Sequence, residues 1–230
     1  MIKPITKKIL LDYIPMAIVA VALIVSAILT NQQFIKLLPT LITLVVMLLN
    51  AKANRLGFLL GGINCLIYVI GYFMESLYGT VVATLFGAVL AFLSFVRWKK
   101  NAYGKATVFS TIKNKYRILY GIAFIIVWII TAFVMGKTDN SQYVLDSLLM
   151  ILGIVIPLLT MFAFLEGVLL NAVNMVINLI MWTIIVCSGN LASITYLISM
   201  AYNAYMVARQ TITWLKLYKK QRLEMKEAIC

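Results

Sequence analysis

The sequence predicts an all-α polytopic membrane protein with eight transmembrane helices, and three observations carry that reading. Of 230 residues, 63% are apolar and 12% charged, against about 45–50% and about 25% in soluble domains. Mean hydropathy is +1.01. A soluble domain of this size has too little interior for so much apolar side chain, so lipid is the solvent for most of it. Apolar runs long enough to cross the hydrocarbon, about 17–25 residues, recur eight times along the chain. The charges are also one-sided in a way that only an even number of crossings explains.

The spans fall at 12–30, 34–50, 56–74, 77–96, 118–136, 143–164, 167–186 and 190–208. Lys3, Lys7 and Lys8 precede the first, as in a signal peptide, but its apolar run is long and no small-residue cleavage site follows. A retained helix is expected. Connections such as Asn31-Gln32-Gln33 and Cys187-Ser188-Gly189 are short, and the one substantial loop runs from Arg97 to Arg117. With eight crossings, the termini share a side with the connections after spans 2, 4 and 6. That side holds Lys3, Lys7, Lys8, Lys52, Arg55, seven cations between Arg97 and Arg117, and six from Arg209 onward. Eighteen of the 20 basic residues therefore lie together, with Lys36 and Lys137 opposite. By the positive-inside rule both termini are expected on the cytoplasmic side. The formal +13 marks topology and lipid head-group contact, and no nucleic-acid partner is implied.

Comparing the chain with itself adds an internal repeat. A shift of 110 residues aligns 57–79 with 167–189 without a gap, matching Gly57 with Gly167, Asn64 with Asn174 and Gly79 with Gly189. The same offset pairs spans 2, 3 and 4 with spans 6, 7 and 8. The chain divides into an extra N-terminal helix (1–33), a first three-helix unit (34–97), a basic loop with a linker helix (98–142), a second three-helix unit (143–210) and a basic tail (211–230). Four crossings separate the units, so both run in the same direction. Parallel repeats about an axis along the membrane normal are a recurring plan of transporters, with substrate near midplane at the repeat interface.

Polar residues within the spans are the candidates for a site. Asn64 and Tyr68 share a face of span 3, and Asn171, Asn174, Asn178 and Trp182 fall at i, i+3, i+7 and i+11 on span 7. Span 8 offers Tyr196, Met200 and Asn203 at similar spacing. A primary amide in hydrocarbon must find partners, so these residues either line a polar cavity or bond helix to helix. Three amides and a Trp in one stripe, with a counterpart in the other unit, favour the cavity. Amides donate and accept, and aromatic rings stack, which suits a hydroxylated ring-bearing solute. Lys36 and Asp146, equivalent at the outer face, are either an outer gate or two solvated end charges. Glu75 and Glu166 also stand near helix ends, so no carboxylate occupies a span centre to couple protons, which favours passive movement.

Catalysis and metal binding find little support. There is no His, and Cys65, Cys187 and Cys230 are scattered without CxxC spacing. Cys230 also lacks the three-residue tail of a prenylation signal. Without paired carboxylates or a phosphate loop, no enzyme chemistry and no cofactor are expected.

Two stretches resemble the PnuC family of bacterial vitamin transporters. One runs from Asn54-Arg-Leu-Gly-Phe through Gly61-Gly-Ile-Asn64 and Leu77-Tyr78 to Arg97-Trp98. The other comprises Asp146-Ser147, the segment Glu166 to Asn178, and the Asn203 region. The resemblance implies a three-plus-one-plus-three core related to the sugar-transporting SWEETs, and a homotrimer. It also implies facilitated diffusion of nicotinamide riboside or a related compound, trapped by a separate cytoplasmic kinase. Family positions carried over are Thr84, Asn174 and Asn203. Where nicotinamide riboside transporters of the family look to carry a Trp-x-x-Trp pair, this chain has Val168 and Asn171, and Thr84 and Ala91 replace Gln and Asn. Thiamine, riboflavin and deoxynucleosides, which relatives carry, therefore stay open as substrates. A substrate-binding subunit of an ATP-driven uptake complex is the reading from another class.

Overall fold

A computed structural model describes residues 4–29, 34–74, 78–137, 143–188 and 194–227. Among them are eight helices: α1 (Pro4–Leu29), α2 (Phe34–Ala51), α3 (Leu56–Met74), α4 (Tyr78–Lys100), α5 (Asn114–Met135), α6 (Tyr143–Met161), α7 (Leu165–Cys187) and α8 (Ile194–Glu227). A two-residue antiparallel ladder, β1 (Ala102–Tyr103) with β2 (Ala106–Thr107), interrupts the loop between α4 and α5. The chain is all-α with several strongly apolar helices. By length and composition, α5, α6 and the part of α1 from Asp12 to Leu29 are each sufficient to cross a membrane, and α2, α3 and α7 contain shorter apolar stretches. The helices follow the apolar runs closely because such a run in lipid must satisfy its backbone within itself.

Three differences from the sequence reading concern the basic end. The loop is shorter than Arg97–Arg117, because α4 continues to Lys100 and α5 begins at Asn114. Span 6 stops at Met161 and α7 starts at Leu165, so the turn between them sits slightly earlier than the apolar run suggests. The segment after 210 is also no separate tail: α8 is continuous for 34 residues.

That last segment is held by packing. Trp214 is fully buried and forms a cluster with Trp98, Phe109, Ala53, Ala163 and Val168. The Trp98 and Trp214 rings lie 5.2 Å apart, and Phe109 sits 5.6 Å and 5.0 Å from them. One turn or two further along α8, Gln221 accepts from Phe109 N at 2.9 Å and donates to Thr107 O at 2.8 Å. A buried amide with both ends bonded fixes the loop to α8 rather than costing stability.

The turns after α2 and α6 share one backbone design. In each, an alanine takes a positive φ, 51° at Ala53 and 58° at Ala163. Asn54 N bonds Leu49 O and Ala53 N bonds Asn50 O, while Phe164 N bonds Leu159 O and Ala163 N bonds Thr160 O. This is a Schellman ending, in which glycine usually fills the left-handed position. Here both alanine methyls are buried in the aromatic cluster, and burying one methyl group, about 0.8 kcal/mol, offsets much of the left-handed strain. The same carbonyls that take the alanine amides also accept from indoles: Trp214 Nε1 donates to Asn50 O at 3.1 Å and Trp98 Nε1 donates to Thr160 O at 3.0 Å. Next in chain, Arg55 N bonds Lys105 O and Leu165 N bonds Ser110 O, so the loop passes across both turns.

Helix α1 is fastened at the same end. Asp12, 1% exposed, pairs with Lys52 at 2.8 Å in the α2–α3 turn and with Arg209 of α8 at 2.5 Å. A buried carboxylate is tolerated because two cations share it.

Candidate substrate site

The polar residues of the spans do not form one equivalent pair of clusters. On α3, Asn64 is 5% exposed, and its Nδ2 donates to Pro39 O and Thr43 Oγ1, both at 3.0 Å. The Thr43 hydroxyl itself donates to Pro39 O at 2.9 Å. The amide is thereby locked onto α2, and its Oδ1 is left buried without a partner. From α8, Tyr202 donates its hydroxyl to Leu44 O of the same stretch of α2 at 3.1 Å. Asn203, next to it in the chain and 3% exposed, also has a buried Oδ1 with no hydrogen bond.

On α7, Asn171, Asn174 and Asn178 are half-buried. Asn178 Nδ2 donates to Asn174 O at 2.9 Å and to Asn174 Oδ1 at 3.3 Å. Among the described residues, these two amides bond along their own helix, one turn apart. Tyr68 on α3 and Thr84 on α4 are also half-buried. The side chains of Lys36, Asp146, Trp182 and Tyr196 lie outside the described residues, although all four positions are helical. The stripe on α7 is therefore described for its three amides, and the gate pairing is not.

Val168 belongs elsewhere. It is 1% exposed and packs in the Trp98–Trp214 cluster, so the family's first tryptophan position falls, in this chain, in the core of the basic end. Thr43, Tyr202 and Asp12 are polar participants that the sequence reading passed over. Thr43 lies 21 residues before Asn64 in a span that also holds Thr40, a hydroxyl and not an amide. Asp12 sits at the edge of the first span.

Chemically, the described part of the site offers amide and hydroxyl groups and no charge. Between Asp12 and Arg209 the ionisable Asp, Glu, Lys and Arg residues of the helices cluster at helix ends. Among the described residues no group of three His, Cys, Asp or Glu side chains is placed to hold a metal ion. Two buried acceptors without donors, Asn64 Oδ1 and Asn203 Oδ1, are each costly to leave unbonded, and such atoms suit a ligand that brings hydroxyl or amide hydrogens.

Comparison with known proteins now adds the lineage. A fold search finds similarity to the crystal structure of the vitamin B3 transporter PnuC, with a TM-score of 0.71 over 89% of this chain and 90% of that one, at 15% identity. At that identity the likeness concerns the fold. No curated protein matches in sequence. A family model described as nicotinamide mononucleotide transporter matches residues 33–216, which takes in every helix but α1 and stops only within the last turns of α8. This chain is a multi-pass membrane transporter belonging to the nicotinamide mononucleotide transporter family.

Proposed function

We propose that the protein carries a nucleoside-like vitamin, nicotinamide riboside in first place, across the bacterial inner membrane by facilitated diffusion. The observation that carries this reading is the pair of buried, unbonded amide oxygens on Asn64 and Asn203, in helices without central charge. A ribose and a carboxamide supply the missing donors. A mononucleotide would bring a phosphate into spans that hold no cation at their centres, so the unphosphorylated riboside fits better than its phosphate. Tyr68, Trp182 and Tyr196 would stack the ring, with Thr84, Asn171, Asn174 and Asn178 completing the polar set. Lys36 and Asp146 would close the outer face.

The architecture behind this reading is eight crossings with both termini cytoplasmic and a three-plus-one-plus-three parallel repeat of SWEET type. Support for the repeat comes from the offset of 110 residues, at which Ala53 and Ala163 share a left-handed turn and Gly57 and Gly167 face Leu49 and Leu159. Trapping by a cytoplasmic kinase and assembly as a homotrimer follow from the family resemblance. Thiamine, riboflavin or deoxynucleosides are the second reading, favoured by Val168 and Asn171 at positions where nicotinamide riboside carriers look to have tryptophan.

Thermal melting of the purified protein against nicotinamide riboside, thiamine, riboflavin and deoxynucleosides decides the substrate, since a ligand of the folded state raises apparent stability. Liposomes containing only this protein should take up the stabilising compound saturably, whatever the proton or sodium gradient. Uptake that stops when the proton gradient collapses would sink the passive mechanism. Tight binding with no uptake would identify instead a binding subunit of an ATP-driven complex.

A further inference from the structure

A second site lies away from the amides, between the linker helix and the α6–α7 pair. The cavity there measures about 680 Å³, within the range of about 300–1,000 Å³ that small-molecule pockets occupy. Its long walls are apolar: Phe124 and Val127 from α5, Val155 and Leu158 from α6, Leu169 and Leu170 from α7. Helix α5 buries no residue, and among the described helices it packs appreciably only against α6. The cleft thus opens along the bilayer between α5 and α7.

Polar groups gather at one end alone. Arg117 Nη2 and Nε donate to Glu166 Oε1 at 2.6 Å and 3.1 Å, and Ile112 N donates to the same oxygen at 3.1 Å. Three donors converge on Oε1, while Glu166 Oε2 is buried with no hydrogen bond. The Arg117 side chain is 47% exposed, with Nη1 also donating to Asn114 Oδ1 at 3.2 Å, and Lys113, four residues before it, is exposed. An apolar slot running along the bilayer, ending in cations and one unfilled carboxylate acceptor, matches one kind of molecule.

We propose that this cleft binds a phospholipid whose head group carries a hydrogen-bond donor. One acyl chain would lie between α5 and α7, the phosphate would meet the exposed Arg117 with Lys113, and the ammonium of a phosphatidylethanolamine would reach Glu166 Oε2. A helix from a second copy of this chain would cover the apolar walls but leave that oxygen without a donor, a costly arrangement. A phosphatidylcholine has the phosphate without the donor. The site is independent of what the amides on α3, α7 and α8 carry.

Native mass spectrometry of the purified full chain, offered phosphatidylethanolamine and phosphatidylcholine at equal concentration, tests this. One phosphatidylethanolamine per chain is expected, retained about tenfold over phosphatidylcholine, the preference that a charge-assisted hydrogen bond provides. Glu166→Gln should keep a lipid but erase the preference, since Oε1 survives as an acceptor for Ile112 N while the second position becomes a donor. An added Cβ at Gly121 meets nothing within 4 Å, so Gly121→Trp should fold, occupy the cleft and expel the lipid. Gly121→Leu, a smaller intrusion, should weaken retention if the larger ring is not tolerated. Equal retention of the two lipids by the unaltered chain overturns the proposal. So does Gly121→Trp or Gly121→Leu leaving lipid retention intact, or changing only the oligomer mass, which would make a second copy the occupant.

Discussion

Helices α2–α4 and α6–α8 agree at one end and part ways in the middle. At the basic end the match extends to individual bonds: a left-handed alanine, a two-bond Schellman ending, an indole as second donor to one of its carbonyls and a close glycine contact occur in both. At midspan, Asn64 is clamped to α2 through Thr43 and Pro39, whereas Asn174, among the described residues, bonds along its own helix to Asn178. The residue 110 positions after Thr43 is Gly153, where an added Cβ would meet nothing within 4 Å. The shared end is set by sterics and by backbone groups that must be satisfied, which are the same for any cargo. On the proposed function, a cargo with a ring at one end and a sugar at the other has no twofold symmetry, so two identical midspan faces could not both fit it, and that reading predicts divergence where the solute would be read.

The largest effects should come from breaking the shared end. An alanine Cβ at Gly167 would lie 3.0 Å from Leu159 Cβ and 3.2 Å from Thr160 N, while at Gly57 it would lie 2.2 Å from Asn50 Oδ1 and 3.1 Å from Leu49 Cβ. Overpacking of this kind costs about 1–3 kcal/mol. The Asn50 amide can turn aside and the Thr160 backbone cannot, so Gly167→Ala should melt lower than Gly57→Ala, and both below the parent. A Gly167→Ala protein that melts like the parent would remove the sterics from the comparison.

Next in size is the contrast between the two asparagines. Asn174→Leu should weaken ligand binding about tenfold, the loss of roughly one hydrogen bond, and leave the melting temperature nearly unchanged. Asn64→Leu should do both, weakening binding as its free Oδ1 is lost and lowering stability by about 1 kcal/mol as its two bonds to α2 are lost. If both variants lose stability and neither loses affinity, the amides are helix glue on both sides. The indole caps offer a control at the end where the halves agree. Trp98→Phe and Trp214→Phe each remove one buried bond of about 1 kcal/mol and should melt alike.

Much of the fold was legible because helix length in lipid is a strong constraint. The eight apolar runs became eight helices among the described residues, with most ends displaced by a few positions, although α1 begins at Pro4 instead of 12 and α8 runs to Glu227 instead of 208. Composition hid α8 beyond 208, because Lys216, Lys219, Lys220 and Arg222 read as a solvated tail while Trp214 and Gln221, on the other side, are buried against the loop. Those contacts join residues more than 100 positions apart, and nothing local announces them. Asp12 escaped for a related reason: its partners Lys52 and Arg209 looked like topology markers. Breaking that pair with Asp12→Ala should cost less than the about 3–5 kcal/mol of a fully buried ion pair, because both cations are partly exposed. At midspan the amides were found and their inequality was not, although the Thr43–Gly153 difference stands in the sequence at the offset that paired Asn64 with Asn174.

That difference yields the smallest and most selective test. Thr43→Val keeps the shape of the side chain and removes the hydroxyl, so Asn64 retains Pro39 O but loses its second acceptor. The direct stability cost should be about 0.5 kcal/mol, at the low end for a hydrogen bond, because the Pro39 carbonyl stays satisfied. The informative quantity is the coupling. If the hydroxyl is what gives Asn64 a structural role that Asn174 lacks, the stability cost of Asn64→Leu should shrink by about 0.5 kcal/mol in a Thr43→Val background. Melting the two single variants and the double variant in one detergent closes the cycle. Strict additivity would mean that Thr43 does not set the two asparagines apart, and the asymmetry would then have to arise on the α7 side, at Asn178.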